Sequence, residues 1–381
     1  MDFDLTEEQR MFRQTVREFA EAEIAPVAEE LDIKGEFPYD IVEKMADLGL
    51  FGLPVPEEYG GSDADLVTYA LSVEEISRVS ASMGITIAAH TSLGCMLLAY
   101  YGTEEQKQKW LVPLAKGEML GAFGLTEPEA GSDAGATRTT AVLEDGEWVI
   151  DGTKCFITNS GTRISGLVIV TAVTGTTGQK KEISNIIVTH GTPGFVVAPP
   201  YRKMGWHSSD THELSFSDCH VPEGNLLGDR GAGLKAFLRV LDCGRIGVAA
   251  LSVGIAQACL DESVKYAKER VQFGRPIGKF QGISFRCADM LMEVELARAA
   301  TVKAAWLYDQ GRPFTREASI AKLFASEAAM RAASAAVQIH GGSGCIEDYP
   351  VCRYFRDAKI LEIGEGTSEV QRIVLSRGLG L

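Results

Sequence analysis

The feature that most constrains this chain is a change of periodicity that occurs twice. Up to about residue 118, apolar side chains recur at helical spacing. From 119 to about 228 the sequence breaks into short runs rich in Val, Ile and Thr, and from Gly233 long helical patterns return. Helices and strands segregated in this way predict an α+β multidomain protein: helices over 1–118, a β domain over 119–228, and four or so long helices over 229–381.

Within the first domain, Thr6 followed by Gln9 forms a capping box, and apolar positions then recur until Pro26. Further helices are expected at about 40–48, 64–79 and 82–101, and Thr103 with Gln106 repeats the capping-box pattern. In the middle domain, residues 167–173 and 186–189 read as strands. Asp145-Gly146, Asp151-Gly152 and the Gly-bearing stretches 175–178 and 191–194 separate strands, and the β region ends near Val221-Pro222. The long helices are expected at about 233–270, 280–308, 316–338 and after Thr367.

A formal charge of -15 and a pI near 5.0 argue against unspecific nucleic-acid binding, which needs a basic face. The eight cysteines are scattered through mostly apolar runs, so they read as buried thiols of a reducing compartment, and the expected location is the cytoplasm, with the mitochondrial matrix after processing as the alternative. Met1 leads directly into a helical pattern with no visible targeting segment, and no apolar run reads as membrane-spanning. His207, His212, Cys219 and His220 match no zinc spacing, so no metal is expected.

Candidate chemistry centres on Glu365, which stands between Gly364 and Gly366 just before Thr367, the expected N-cap of the last helix. Either it is a base that a flat ligand can approach closely, or it is a solvated residue of a tight turn. The stretch FGLTEPEAGSDAG (123–135) begins as a strand and becomes a loop of Gly, Ser and Thr that either cradles a polar ligand or is an ordinary loop. Phe156 and Thr158 share one strand face, so Phe156 either stacks on a ring system or packs in the core. Arg270 at a helix end suits a pyrophosphate, and Gln338-Ile339-His340-Gly341-Gly342 is either a phosphate cradle or a simple C-cap. Neither a phosphate-loop lysine motif nor a nucleophile elbow is present.

In combination and in this order, LTEPEAGSDAG (125–135), FITNS (156–160), LDCGRIGVAALSVGIAQ (241–257), ERVQFGRPIGKFQ (269–281), QIHGGSG (338–344) and RDAKILEIGEGTSEVQR (356–372) resemble the acyl-CoA dehydrogenase family, specifically its short-chain branch. The resemblance covers essentially the whole chain. It implies a helical N-terminal domain, a middle β-barrel or sandwich domain and a C-terminal four-helix bundle, with non-covalent FAD, usually a homotetramer, and electrons passed to electron-transfer flavoprotein. It implies that Phe123, Leu125, Thr126, Ser132, Phe156, Ile157 and Thr158 line the flavin. Arg270, Phe273, Gln281, Gln338, Ile339, His340, Gly341 and Gly342 would hold its diphosphate and adenosine half, often across a subunit boundary, with Thr367 and Glu369 completing the site. Ser132, Asp242, Cys243, Gly244, Arg245 and Gly366 fall where the family contacts acyl-CoA.

Glu365 falls at the position of the family's catalytic base, which takes an α-proton of the thioester while a hydride leaves the β-carbon for flavin N5, giving a trans-2-enoyl-CoA. Relatives that place the base on the long helix put it at the position of Gly244, which cannot serve and is expected to leave space at that wall. The short-chain branch implies a short acyl group, and Gly364, where many relatives carry Tyr, implies a wider pocket that would take a branched or cyclic one, unless an aromatic from elsewhere fills the gap. Same-fold oxidases and monooxygenases are the nearest alternatives, disfavoured by the intact Glu365-Gly366 and the length. A non-catalytic flavin-binding scaffold is disfavoured by the charge and the retained base.

Overall fold

The computed structural model describes residues 4–178 and 180–381. Residues 1–3, on which the expectation about targeting segments in part rests, lie outside the described residues. The N-terminal part carries α1 (Glu7–Phe19), α2 (Ala28–Lys34), α3 (Tyr39–Asp47), α4 (Leu66–Val79), α5 (Ala81–Ala89), α6 (Met96–Tyr101), α7 (Glu104–Gln106) and α8 (Val112–Ala115). Thr6 and Thr103 each accept a hydrogen bond from the backbone of the glutamine three residues on, and that glutamine's side chain accepts from the threonine N–H. Both capping boxes therefore satisfy otherwise orphaned donors.

One eight-stranded sheet follows: β1 (Leu120–Gly124), β2 (Thr140–Glu144), β3 (Glu147–Thr158), β4 (Ser165–Thr177), β5 (Lys180–Thr189), β6 (Phe195–Val197), β7 (Thr211–Pro222) and β8 (Leu226–Leu227). Its path is β6-β7-β3-β2-β4-β5-β8, with β1 joined in parallel to β4. Asp145 and Gly146, both at positive φ, close the β2–β3 hairpin as the two-residue turn that matches strand twist. Asp151-Gly152 is not a strand separator: it is a bulge inside β3, where the register against β7 shifts. Gly175 likewise lies within β4, beside a shift against β5, and the sheet extends past Pro222 to β8.

The C-terminal part holds α9 (Gly233–Glu269), a small ribbon of β9 (Val271–Gln272) and β10 (Arg275–Pro276), α10 (Gln281–Asp309), α11 (Thr315–His340), α12 (Pro350–Leu361) and α13 (Ser368–Gly378). The periodicity reading left out α12. Its charged residues Arg353, Arg356, Asp357 and Lys359 mask a narrow buried stripe of Val351, Tyr354, Ala358 and Leu361. The last helix also departs from expectation, because it buries Ser368 and Gln371 while Ile373 is exposed.

Helix α9 is the axis of the molecule. It packs on α11, α10 and α4, and alanine and glycine along its length let those neighbours approach closely. The segments Ala81–Tyr101 and Gly233–Glu269 are long and apolar enough to cross a membrane, contrary to the sequence reading. Yet 94% of the apolar window in each is buried inside the fold, so both are core helices. Cys345 is exposed and Cys287 and Cys352 are half-buried; the other five cysteines are buried as expected.

Candidate active site

Helix α12 ends at Leu361, and the chain passes through Gly364, Glu365 and Gly366 before α13 begins beyond its N-cap, Thr367. Glu365 has φ +51 and Gly366 φ +98. A left-handed glutamate is a costly conformation that persists only where its surroundings impose it. Two side chains do so here: Lys322 Nζ donates to the Gly366 carbonyl at 2.7 Å, and Gln371 Nε2 donates to the same oxygen at 3.0 Å.

This turn carries the Glu365 carboxylate onto α9. A Cβ on Gly244 would stand 2.1 Å from Glu365 Oε2, so Gly244 leaves no free space: the gap it opens is filled by the carboxylate itself. Both carboxylate oxygens are buried without a hydrogen-bond partner. Burial pushes the carboxyl up to about 7, against the pull of Lys322 and then Arg245. The residue as a whole is partly accessible, whereas both carboxylate oxygens are buried. The solvated-turn alternative for Glu365 is thereby excluded.

Near the carboxylate stand Cys243 and Arg245 of α9, and Arg245 in turn holds Asp242. Arg245 donates to Asp242 Oδ1 at 2.7 Å, Thr315 donates to Asp242 Oδ2 at 2.6 Å, and Arg245 Nε is buried with no partner. Asp242 is raised by burial against the hydrogen bond from Thr315 and the charge of Arg245. Tyr69 of α4 is wholly buried, its hydroxyl 2.7 Å from where a Cβ on Gly247 would sit; burial and then the charge of Glu365 hold it well above the usual phenol range. Next to Gly364 an aromatic does come from elsewhere: Trp206, at φ +55, lies 3.9 Å from where a Cβ on Gly364 would be. Its indole N–H is buried without a partner.

A second group forms where β1 runs into its loop beside β3. Phe123 is buried and stacks on Phe237 at 4.5 Å, Cys155 N–H donates to the Thr126 carbonyl at 2.8 Å, and Leu125, Thr126 and Thr158 are half-buried. Ile157 is in the core, Ser132 is exposed on the loop, and Phe156 at φ +60 is 66% exposed with Tyr201 at 5.1 Å. The core-packing alternative for Phe156 is excluded. The loop is anchored from below by Lys154, whose Nζ donates to Glu127 Oε1 at 2.7 Å and to the Leu125 carbonyl at 3.1 Å. Glu127 also accepts from the N–H groups of Arg138 and Thr139, and it is held down at about 2 by Lys154 and these donors despite burial.

The third group is at the far ends of α9 and α11, which a stack of Tyr266 on His340 at 4.2 Å ties together. Arg270, Gln281, Gln338, Gly341 and Gly342 are exposed there, Ile339 and His340 are buried, and Phe273 is 92% exposed at the tip of the ribbon. The Gly341 N–H, at φ +61, caps α11 and is therefore not free for phosphate. Glu369 is exposed in the first turn of α13. Among the described residues no hydrogen bond joins this third group to Glu365. His207, His212 and His220 each bond to different partners.

Sequence reasoning missed Lys322, Tyr69, Trp206, Gln371 and the Glu127–Lys154 pair. A signal existed for Lys322: it is four residues from Ala318 and from Ser326, in the apolar stripe that α11 buries.

The exposed aromatic face of Phe156 beside two half-buried hydroxyls suits a flavin ring, and the separate exposed group of Arg270, Gln281 and Gln338 suits the charged half of a dinucleotide. Orphaned Glu365 oxygens and Arg245 Nε fit a polar acyl carrier near the carboxylate.

Comparison with known proteins agrees. The chain matches the family models of the acyl-CoA dehydrogenase N-terminal domain over residues 6–118, middle domain over 122–219 and C-terminal domain over 231–380. It is 57% identical over 380 residues to the "Probable acyl-CoA dehydrogenase YngJ" of Bacillus subtilis, covering 100% of both chains. Butyryl-CoA dehydrogenase from Megasphaera elsdenii superposes with a TM-score of 0.97 at 46% identity, covering 100% of each chain. A chain in the structure described as the electron transferring flavoprotein of Acidaminococcus fermentans gives 0.96 at 48% identity, covering 100% of this chain and 99% of that one.

Proposed function

The chain belongs to the acyl-CoA dehydrogenase family, and we propose that it oxidises a short acyl-CoA thioester to the trans-2-enoyl-CoA with Glu365 as the base. The observation that carries this reading is the Glu365 carboxylate itself, buried, unpartnered and raised to about 7 beside Gly244. A solvated carboxylate is too weak for a thioester α-proton, whereas one stripped of water is a stronger base near neutrality. The turn that Lys322 and Gln371 hold fixes the direction from which that base meets the α-carbon.

FAD, when bound, supplies the hydride acceptor. On this reading Phe156 provides a stacking face and Thr126 and Thr158 hydrogen-bond the ring edge. Arg270, Gln281 and Gln338 reach the diphosphate and adenosine half, from the neighbouring subunit in a homotetramer, because they are exposed away from Glu365 on their own chain. Asp242, Arg245 and Gly366 orient the acyl-CoA. Trp206 partly fills the wall that Gly364 leaves open, which supports a short acyl group over a bulky one.

Electron-transfer flavoprotein as acceptor is supported by the Acidaminococcus relative, and the cytoplasm by eight free thiols. The domain boundaries of this reading are 1–118, 119–228 and 229–381. The test is anaerobic bleaching of the purified holoprotein by straight, branched and cyclic acyl-CoAs. Fast bleaching by short straight chains is expected, and a yellow protein that none of them bleaches would refute the reading.

A further inference from the structure

Lys322 is fully buried on a face of α11 made of Ala318, Ala321, Ala325 and Ala329. A buried ammonium is costly unless the site needs its charge. Among the described residues it makes no ion pair, and its one hydrogen bond goes to the Gly366 carbonyl. Glu365, the next residue back, is likewise buried and unpaired. A cation and a carboxylate, neither held in an ion pair, thus meet at one left-handed turn.

We propose that Lys322 is a positioning residue for the reaction: it holds the Gly366 carbonyl, so that the turn sets the base against Gly244, and its charge keeps the carboxylate ionised in a dry site. The inference rests on Glu365 being the base. The other groups that act on this pair are Arg245 and Cys243 of α9, Glu327 of α11, Glu362 after α12 and Tyr69 of α4. Glu365 heads the opposite charges that offset the effect of burial on Lys322, which lowers the ammonium to about 8. Arg245 is tied to Asp242 by its own ion pair, which leaves Lys322 as the cation without a carboxylate of its own.

The test compares wild type, Lys322→Gln and Lys322→Arg holoenzymes in anaerobic bleaching by butyryl-CoA across pH on both sides of neutrality. Glutamine keeps a donor for the carbonyl and loses the charge. Its midpoint should move up by about one pH unit or more, with a roughly tenfold loss of rate below neutrality that recovers at high pH. Arginine should be slower yet keep the wild-type midpoint. If Lys322→Gln does not fold, the carboxylic C=O stretch of Glu365, identified by its loss in Glu365→Gln, is titrated by infrared in wild type and Lys322→Arg. Coincident midpoints there support the proposal, and a raised midpoint in Lys322→Arg overturns it. A Lys322→Gln enzyme that slows with an unmoved midpoint also overturns it, since a merely structural lysine behaves that way. A wild type that does not bleach at all removes the base assignment first, and the proposal with it.

Discussion

Replacing Gly244 by alanine separates packing from chemistry. The added Cβ would stand 2.1 Å from Glu365 Oε2 and 2.9 Å from Cδ, and ordinary contact begins at 3.4 Å, so the carboxylate must retreat by about 1.3 Å. A displacement of about 1 Å at a reacting group costs on the order of 100-fold in rate, or about 2.7 kcal/mol of transition-state stabilisation. Folding stability should move the other way, because alanine in a helix interior is favoured over glycine by roughly 0.5–1 kcal/mol. Gly244→Ala is therefore expected to melt no earlier than wild type while bleaching with butyryl-CoA about 100-fold more slowly. Stopped-flow bleaching and a thermal melt on the same preparation check this. A variant with the wild-type rate would refute the placement of the base against α9, and one that loses rate and stability together would refute the separation.

Other expectations follow from the same geometry. Glu365 is raised in the folded protein, so the native state binds more protons than the unfolded chain, and its ionisation destabilises the fold increasingly as pH rises from the unfolded value towards 7. Glu365→Gln should thus be more stable than wild type at pH 8 by up to about 3 kcal/mol, with the gap closing near pH 4, as denaturant titrations at the two pH values will show. Lys154→Met leaves Glu127 buried without its cation and should cost about 3–5 kcal/mol, visible as a lowered unfolding midpoint. Phe156→Ala removes the exposed aromatic face; if that face meets the flavin, the purified protein should release FAD more readily, by about tenfold on dialysis.

Much of this architecture is legible in sequence because periodicity is a local property. Leu66–Val79 and the strand core at 167–173 are written in consecutive side chains, and Thr6 with Gln9 marks a helix start within four residues. Where the reading failed, the deciding forces were tertiary. Asp151-Gly152 has the chemistry of a turn, yet β7 keeps β3 running through it as a bulge. Gly244 looks like space until the fold lays Glu365 on it. Lys322 and Gln371 act on Gly366 from different helices, a convergence that no single stretch of sequence announces. Glu365 could be nominated from its flanking glycines, but its burial, on which the proposed role as base rests, comes from the helices packed around it.

The most direct test of the central claim is the reductive half-reaction of wild type and Glu365→Gln with butyryl-CoA carrying deuterium at the α-carbon. A primary isotope effect on bleaching is predicted in the wild type, together with loss of bleaching by about 100-fold or more in a Glu365→Gln protein that still holds its flavin. A Glu365→Gln protein that bleaches at the wild-type rate would contradict the assignment.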